Sequence, residues 1–361
     1  SRFVHLDYGV RCVVMVPTHE LAIQVCGVFV KLAYGTDLQI LSIFGGVEQE
    51  PQIAKLKKGV DILIATPGRL FDLQSQGHLN LSKVEILVLD EADHMLALGF
   101  YNDMIQLVRN LPKKRQTLFF SATIDEQIKD LAYGLVNKPV RIQISPKDPV
   151  SKNVDHSVAF IEMDDKRFFL EHIIKEHPDS KILVFVRTKV RAERVLKALE
   201  RVGIKSQTIH SDKEQDQRNQ VMKQFKNGDN KILIATDISA RGIDIPEVEY
   251  VINYDLPDVS ENYVHRVGRT GRGTNRGTAI SFCSEEEKEL LEEIESYITV
   301  GIKVLKLDLN TYEEIVDTSE ESSHDWRSLI KEIDTFEEME KKKEALKHKK
   351  KEAQKEKKKK K

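Results

Sequence analysis

Several residue patterns are missing from this chain of 361 residues. Its 3 cysteines, Cys12, Cys26 and Cys283, are too few and too scattered for a disulfide framework or a zinc site, so reduced thiols and a cytoplasmic location are expected. No stretch approaches the roughly 18 uninterrupted apolar residues of a membrane span, so no membrane association is predicted. The dipeptide Gly-Lys occurs nowhere, which excludes the phosphate-binding loop G-x-x-x-x-G-K-[ST] from this sequence.

Charge is unevenly distributed along the chain. The formal net charge is −2, but Lys341 to Lys361 contains 13 Lys and 3 Glu and so carries +10, which leaves −12 for the rest. The part that folds is therefore acidic. An electrostatic argument for binding nucleic acid applies only to the C-terminal tail.

Short apolar runs alternate with helical patterns in two blocks of the chain. The runs are rich in Ile, Val and Leu with little polar alternation, as in strands buried on both faces. In 190–203, Ala192, Val195 and Leu199 recur at helical spacing. The predicted strands are 11–16, 61–65, 84–89 and 116–120, then 181–186, 206–210, 231–235, 248–253 and 277–282. This alternation predicts an α/β fold with two mostly parallel sheets, each flanked by helices.

The ends of the two blocks indicate the domain boundaries. Two prolines, Pro146 and Pro149, interrupt both patterns, and apolar density falls after about Leu309. We therefore predict an N-terminal domain at 1–144, a linker at 145–154 and a C-terminal domain at 155–309. Residues 310–361 form an acidic and then Lys-rich tail, which we expect to be mostly disordered or helical.

Adjacent carboxylates follow one of the predicted strands directly. Asp90 and Glu91 come immediately after the run 84–89, and Ser121-Ala122-Thr123 comes after the next strand. Two carboxylates at a strand tip can hold Mg²⁺ and orient a water at a nucleotide phosphate. Acidic residues that cap a helix or turn would give the same local pattern, so this motif is only moderately specific alone.

The strongest single string is His265–Arg272, with the sequence HRVGRTGR. Arginine grips phosphate oxygens with two parallel hydrogen bonds and can stabilise the charge that develops during phosphoryl transfer. A basic helix end that binds RNA would explain the charge. It would not explain Gly268 and Gly271, which allow the backbone and the arginines to approach a ligand closely.

The amino-acid sequences of these motifs and their order along the chain resemble those of the DEAD-box ATP-dependent RNA helicases, from about Arg11 to about Leu309. The chain is similar to the bacterial RhlE-type group, because a compact second domain is followed directly by a short acidic and then basic tail. The resemblance implies two RecA-like domains, ATP and Mg²⁺ as cofactors, and RNA as the partner. The sequence does not identify partner proteins, for example those of ribosome assembly or RNA decay.

The resemblance also implies a role for individual motif residues. Asp90 would hold Mg²⁺, directly or through water, and Glu91 would position and deprotonate the attacking water. Arg269 and Arg272 would reach the γ-phosphate of ATP. Ser121 and Thr123 would couple the acidic motif to the second domain. The remaining nucleotide-site residues implied by the family are Asp93, Asp244, which would bond the ribose, and His265 and Arg266, which would bond the first domain.

Four further short segments follow predicted strands directly. The ends of strands are where open α/β sheets bind ligands. Threonine hydroxyls and glycine amides at helix N-termini suit phosphates. Singly, each segment fits a turn or a cap equally well, and only their joint order in the family gives them an RNA role. The residues concerned are Pro17, Thr18, Gly45, Gly46, Thr66, Pro67, Gly68 and Arg69 in the first block, and His210, Asp212, Arg218 and Thr236 in the second. None forms a base-reading array, so binding through the RNA backbone, independent of sequence, is predicted.

The family carries its phosphate loop upstream of Pro17-Thr18, and only 16 residues precede that point here. We interpret the chain as lacking its first strand and phosphate loop by truncation, and expect it neither to bind ATP tightly nor to hydrolyse it. Decay into an inactive relative is less consistent with the retention of Glu91, Arg269 and Arg272.

The predicted function of the complete protein is ATP-dependent RNA helicase activity. It would locally unwind short RNA duplexes or remodel RNA–protein complexes. One alternative is a non-catalytic RNA clamp or scaffold with a helicase fold, which the missing phosphate loop favours. A second alternative is a DNA-translocating helicase of the same superfamily. The motif sequences disfavour it, because they are those of RNA helicases.

Overall fold

The computed structural model describes residues 9–122, 126–143, 150–237, 248–273, 275–306 and 308–319. These residues divide into two units. Within the described ranges, the first contains 9–143 and the short segment 214–219, and the second contains 150–213, 220–237 and 248–319. The predicted site residues Thr123 and Asp244, and the Lys-rich segment 341–361, lie outside the described residues.

The first unit is built on a parallel sheet of five strands in the order β2-β3-β1-β4-β5. The strands are β1 (Cys12–Met15), β2 (Ile40–Ile43), β3 (Ile62–Ala65), β4 (Ile86–Leu89) and β5 (Gln116–Phe119). The described helices are α1 (His19–Leu32), α2 (Glu50–Leu56), α3 (Pro67–Ser75), α4 (Ala92–Ala97), α5 (Tyr101–Asn110) and α6 (Glu126–Leu135). Parallel neighbours require such crossover connections, and most of these are helical.

Both faces of this sheet are covered by helices. Successive residues of β1 point to opposite faces, so Val13 and Met15 enter one apolar cluster and Val14 enters another. The first cluster includes Leu70 of α3, and the second includes Leu21 of α1. A fully buried side chain of this kind contributes about 1.5–3 kcal/mol to stability. This double burial is why the strand reads as an unbroken apolar run.

The second unit contains a parallel sheet of seven strands in the order β12-β6-β11-β10-β7-β9-β8. The strands are β6 (Val154–Phe160), β7 (Ile182–Phe185), β8 (Gln207–Ile209), β9 (Ile232–Ala235), β10 (Tyr250–Asn253), β11 (Gly277–Cys283) and β12 (Lys303–Val304). The described helices are α7 (Lys166–Glu176), α8 (Lys189–Arg201), α9 (Gln215–Asn227), α10 (Ser260–Val267), a 3-10 turn (Glu285–Glu287), α11 (Lys288–Ile298) and α12 (Leu309–Thr318). The first residues of α9, 215–219, belong to the first unit, and its residues 220–227 belong to the second. Among the described helices, none combines the length and apolar character needed to cross a bilayer.

Helix α12 includes residues that the sequence placed in the tail. Ile315 is buried in the core of the second unit, and the Tyr312 ring packs against Phe169 of α7 with centroids 4.9 Å apart. The Tyr312 hydroxyl also donates to Asp165 at 2.7 Å. Tyr312, Ile315 and Val316 thus place one apolar face of this acidic helix on the core, although its average composition is polar.

The predicted two-sheet α/β class is confirmed, and each predicted strand is present with its ends shifted by at most a few residues. Strands β2, β6 and β12 were not predicted. In β2 and β6, polar residues such as Ser42 and Ser157 interrupt the apolar runs, and β12 has only 2 residues. Such strands lack the continuous apolar signal on which the prediction depended.

Candidate active site and nucleic-acid interface

The parallel register of the first sheet places three motifs at one edge. Met15 of β1 lies opposite Ala65 of β3 and opposite Leu89 of β4, so these strands end at the same level. The residues that follow are therefore neighbours across the sheet edge: Pro17-Thr18 after β1, Thr66 after β3, and Asp90 after β4. This is the edge at which open α/β sheets bind ligands.

Three carboxylates lie together at the end of β4. Asp90 Oδ1 accepts a hydrogen bond from the Glu91 backbone N–H at 3.0 Å. Asp93 Oδ1 accepts from the His94 N–H at 2.9 Å, and Asp93 Oδ2 accepts from the Ala122 N–H at 3.1 Å. The last bond joins the acidic motif to the segment after β5. The structure thus brings the predicted residues Asp90, Glu91 and Asp93 together with the backbone next to Ser121.

Burial and, next, the negative charge of Glu91 raise the pKa of Asp90. The bond from the Glu91 N–H partly offsets this effect, and the charge of Asp93 adds to it. A site that crowds negative charge in this way favours a cation. Mg²⁺ commonly binds through one or two carboxylates and completes its octahedron with waters and substrate phosphates. Asp90 fits that role, and among the described residues no group of three acidic, His or Cys side chains forms a fuller metal cage.

The backbone of Glu91 adopts a left-handed conformation, with φ of 50° and ψ of 50°. This region is uncommon for a residue with a side chain and costs of order 1–3 kcal/mol. The neighbouring hydrogen bonds hold it there: Ala92 N donates to Phe120 O at 3.1 Å, and Met95 N donates to Glu91 O at 3.0 Å. The outlier coincides with the residue predicted to activate the attacking water, as strained residues often coincide with functional sites.

The short segments of the first unit that are predicted to bind RNA are also brought together. Thr18 caps α1 by accepting the Leu21 N–H at 3.3 Å, and Thr66 precedes Pro67 at the start of α3. Arg69 Nη2 donates to Val47 O at 2.8 Å and so ties α3 to the loop that contains Gly45 and Gly46. A Cβ added at Gly46, where φ is 77°, would lie 3.2 Å from His19 Cε1. The arrangement places two helix N-termini and a glycine turn at one edge.

In the second unit, Arg266 is almost completely buried, with 1% of its surface exposed. Its Nε lies 2.6 Å from Asp237 Oδ1 and its Nη2 lies 2.9 Å from Asp237 Oδ2. Its Nη1 donates to Asp255 O at 2.7 Å, and its guanidinium lies 5.1 Å from the centre of the Phe185 ring. The structure therefore uses Arg266 inside its own unit, where it joins α10 to the ends of three strands. A bond from Arg266 to the first domain stays a prediction.

Arg269 and Arg272 follow α10 and are held by backbone carbonyls of its last turn and of the residue just after it. Arg269 Nε donates to His265 O at 3.0 Å, and Arg272 Nε donates to Gly268 O at 3.1 Å. Gly271 has φ of 66°, and a Cβ there would lie 2.7 Å from Val154 Cγ2 and 2.9 Å from Asn153 O. The glycine is required because the loop passes directly over the start of β6. Arg269 is buried with 6% exposure, whereas Arg272 is only partly buried.

The remaining candidate residues lie at the ends of β8 and β9 and on α9. His210 Nε2 is 2.8 Å from Glu193 Oε1, and Asp212 Oδ2 pairs with Lys189 Nζ at 2.8 Å. The hydrogen bond from His210 is the largest of the effects that lower the pKa of Glu193. Thr236 directly follows β9, and Arg218 lies in the second turn of α9. The polar ends of these strands are thus structured by ion pairs.

Asp237, Asn253 and Asp255 were not predicted as site residues, yet together they receive the Arg266 guanidinium. One signal was present in the sequence: each lies at or just beyond the end of a predicted strand, as the predicted ligands do. His94 was not singled out either, and its position beside Glu91 emerges only in three dimensions.

Two family models match the chain. Residues 2–131 match the DEAD/DEAH box helicase family, and residues 165–274 match the helicase conserved C-terminal domain. Among curated relatives, the ATP-dependent RNA helicase RhlB of Shewanella frigidimarina is 42% identical over 300 residues, covering 82% of this chain and 69% of that protein. RhlB of Shewanella pealeana gives the same identity and coverage. These names do not confirm the likeness to the RhlE-type group, which stays a prediction.

Solved structures of helicases are similar to this chain as well. S. cerevisiae Dbp5 bound to RNA and ADP BeF3 gives a TM-score of 0.77 at 28% identity, covering 86% of this chain and 82% of that chain. Mss116p bound to ssRNA and AMP-PNP gives a TM-score of 0.74 at 27% identity, covering 90% of this chain and 72% of that chain. The similarity extends over both units.

Proposed function

Because the chain belongs to the DEAD/DEAH box helicase family, we propose that it acts as an ATP-dependent RNA helicase. It would locally separate short RNA duplexes or remodel RNA–protein complexes. Relatives named as ATP-dependent RNA helicases support this proposal, as do similar structures with bound RNA and nucleotide. The single observation that carries it is the group formed by Asp90, Glu91 and Asp93 at the end of β4.

The chemistry proposed is hydrolysis of the terminal phosphate bond of ATP. Glu91 would accept a proton from the attacking water, and the left-handed backbone fixes where its side chain starts. Asp90 would hold Mg²⁺, directly or through a water, and Asp93 would maintain the loop after β5 through its bond to Ala122. When bound, Mg²⁺ neutralises charge on the phosphate oxygens.

Arg269 and Arg272 would place positive charge beside the phosphoryl group during its transfer. Anchoring each Nε on a helix carbonyl restricts the arginine rotamers before any ligand arrives. Preorganised donors of this kind need little rearrangement as charge develops. His265, Arg266, Asp244, Ser121 and Thr123 keep the nucleotide-site and coupling roles that the family resemblance implies.

RNA would be bound through its sugar-phosphate backbone. The proposed contacts are the helix starts and loops after β1, β2 and β3 in the first unit and the residues after β8 and β9 in the second. Backbone amides and threonine hydroxyls carry no base code, so the proposal is binding that is independent of sequence. We also propose a cytoplasmic location, because the three cysteines are free thiols. Burial raises the pKa of Cys12 and Cys283 to about 11, which keeps these two thiols protonated.

The test uses Glu91→Gln in a form of the protein that carries a phosphate-binding loop. We expect ATP and RNA to bind as before, while RNA-stimulated hydrolysis falls by about 10²–10⁴ because the general base is lost. Strand separation should be lost in parallel. If hydrolysis persists in this variant, Glu91 is not the base.

The alternative function is an RNA clamp with a helicase fold that does not turn over ATP. The same assay on unaltered protein separates the two functions. A clamp binds RNA and shows no RNA-stimulated hydrolysis even when a phosphate-binding loop is present.

A further inference from the structure

His94 is a buried imidazole beside the candidate base. It lies in the first turn of α4, three residues after Glu91, and only 1% of its surface is exposed. Its Nδ1 is 3.7 Å from Glu91 Oε2, and both atoms are buried. An imidazole nitrogen and a carboxylate oxygen at this separation need only a small side-chain rotation to form a hydrogen bond.

The surrounding carboxylates are engaged differently. Asp93 directs one oxygen to the His94 backbone N–H and the other to the Ala122 N–H. Asp90 directs Oδ1 to the Glu91 backbone N–H. Neither of these bonds uses the His94 ring. The Glu91 carboxylate lies against the imidazole, with its Oε2 3.7 Å from His94 Nδ1.

The backbone of Glu91 is fixed, so the position of its carboxylate depends on its side-chain torsions. Its left-handed conformation is maintained by the Ala92 and Met95 amides. A glutamate side chain on a fixed backbone still has several rotamers, and a general base is effective only within hydrogen-bond reach of the proton that it takes. A neighbouring donor that selects one rotamer would raise the fraction of time in the productive geometry.

We propose that His94 is a positioning residue for Glu91. The Nδ1–H of His94 donates to Glu91 Oε2 and holds the carboxylate, so that Oε1 takes the proton from the attacking water. His94 itself neither gains nor loses a proton in this step. The inference rests on the proposed function, in which Glu91 is the base of ATP hydrolysis, and it adds a residue that the family motifs do not assign.

The first test needs no nucleotide and uses the full chain. Nitrogen-15 NMR of the imidazole reports directly which ring nitrogen carries a proton. We expect Nδ1 of His94 to be protonated at neutral pH and its resonance to shift in Glu91→Gln, where the acceptor loses its charge. An unprotonated Nδ1 in the wild-type chain would overturn the proposal, since no proton would be available to donate.

The second test compares two variants in a form that hydrolyses ATP. His94→Asn keeps an N–H close to the position of Nδ1, and His94→Leu fills the space with no donor. We expect His94→Leu to lower kcat by about 10–100-fold, the loss typical when a residue that orients a ligating side chain is removed, with KM for ATP and RNA affinity unchanged. His94→Asn should retain most of kcat. Equal losses in both variants would assign His94 to packing alone.

Glu91→Gln distinguishes the two possible failures. If this variant still hydrolyses ATP, the proposed function of Glu91 is wrong whatever His94 does. If Glu91→Gln is inactive while His94→Leu is fully active and folded by circular dichroism, only the positioning role is wrong.

Discussion

Arg266 and Asp237 form a two-point ion pair, with Nε–Oδ1 at 2.6 Å and Nη2–Oδ2 at 2.9 Å, inside the second unit. The planar guanidinium matches the carboxylate, so both oxygens are used at once. The pair ties α10, which carries the arginine motif at its end, to the segment that follows β9. The shape of the arginine motif therefore depends on a partner 29 residues earlier in the chain.

Arg266→Gln should destabilise the second unit by about 3–5 kcal/mol, because it removes the cation opposite a largely buried carboxylate. The measurement is urea unfolding followed by circular dichroism. In a double-mutant cycle, adding Asp237→Asn to Arg266→Gln should cost less than the two single changes together. Additive costs would show that the pair contributes no coupling energy.

Gly271→Ala and Gly273→Ala form a matched pair on one loop. Both glycines have positive φ, 66° and 64°, so each substitution should cost about 1–2 kcal/mol from backbone strain. A Cβ at Gly273 meets nothing within 4 Å, whereas one at Gly271 meets Val154 and Asn153 at under 3.0 Å. We therefore expect Gly271→Ala to cost about 1–3 kcal/mol more in unfolding free energy. Equal costs would mean that the loop moves to make room.

The acidic motif should make the first unit less stable at neutral pH. The pKa of Asp90 is raised by burial and then by the charge of Glu91. A carboxyl group with a raised pKa in the folded state stabilises folding below its unfolded pKa, about 3.8, and this contribution is lost as pH rises through the folded pKa. Ionised Asp90 thus disfavours folding at pH 7.

Asp90→Asn should therefore raise the free energy of unfolding at pH 7. This gain in stability should shrink as the pH falls towards the pKa of an Asp carboxyl group in the unfolded chain. Asp72→Asn, at an exposed position in α3, is the control and should change little at either pH. Denaturant unfolding at several pH values provides the measurement. A gain that does not vary with pH would contradict the assignment to Asp90 ionisation.

Arg272→Ala should affect hydrolysis far more than RNA binding. An arginine that meets the phosphate mainly in the transition state lowers the barrier and leaves the dissociation constant almost unchanged. Arginine fingers in GTPases contribute about 10³–10⁵ in rate, so a steep loss of kcat is expected in a form that hydrolyses ATP. RNA binding without nucleotide should barely change. Loss of RNA affinity with near-normal hydrolysis would place Arg272 in the RNA-binding surface instead.

Deleting Lys341–Lys361 should weaken RNA binding mainly at low salt. The segment carries 13 Lys and 3 Glu, and its attraction to phosphates is long-range and screened by ions. Each phosphate neutralised on a single strand steepens the log–log salt dependence by about 0.7. The deletion should flatten that slope without changing sequence preference. A control that removes only the acidic stretch 320–321 should leave the slope unaltered, and an unaltered slope after the Lys deletion would exclude an RNA contact.

Much of this protein could be predicted from its sequence because its decisive signals are local. The continuous apolar runs of β1, β4 and β9 identify buried parallel strands, and the residues after them identify the ligand-binding edge. Asp90-Glu91 and the arginine motif are short sequence motifs, recognised by their residues and by their order along the chain. The family assignment followed from them, and the matching family models confirmed it.

Tertiary structure decided the properties that depend on neighbours distant in sequence or on backbone angles. The left-handed backbone of Glu91 is maintained by Phe120 across the strand end, and Arg266 is fixed by Asp237 and Asp255. The position of His94 against the Glu91 carboxylate follows from the same local backbone. Residue type limits which bonds a side chain can form, but partner and direction are set only when strands and helices pack, because burial makes an unmatched polar group costly.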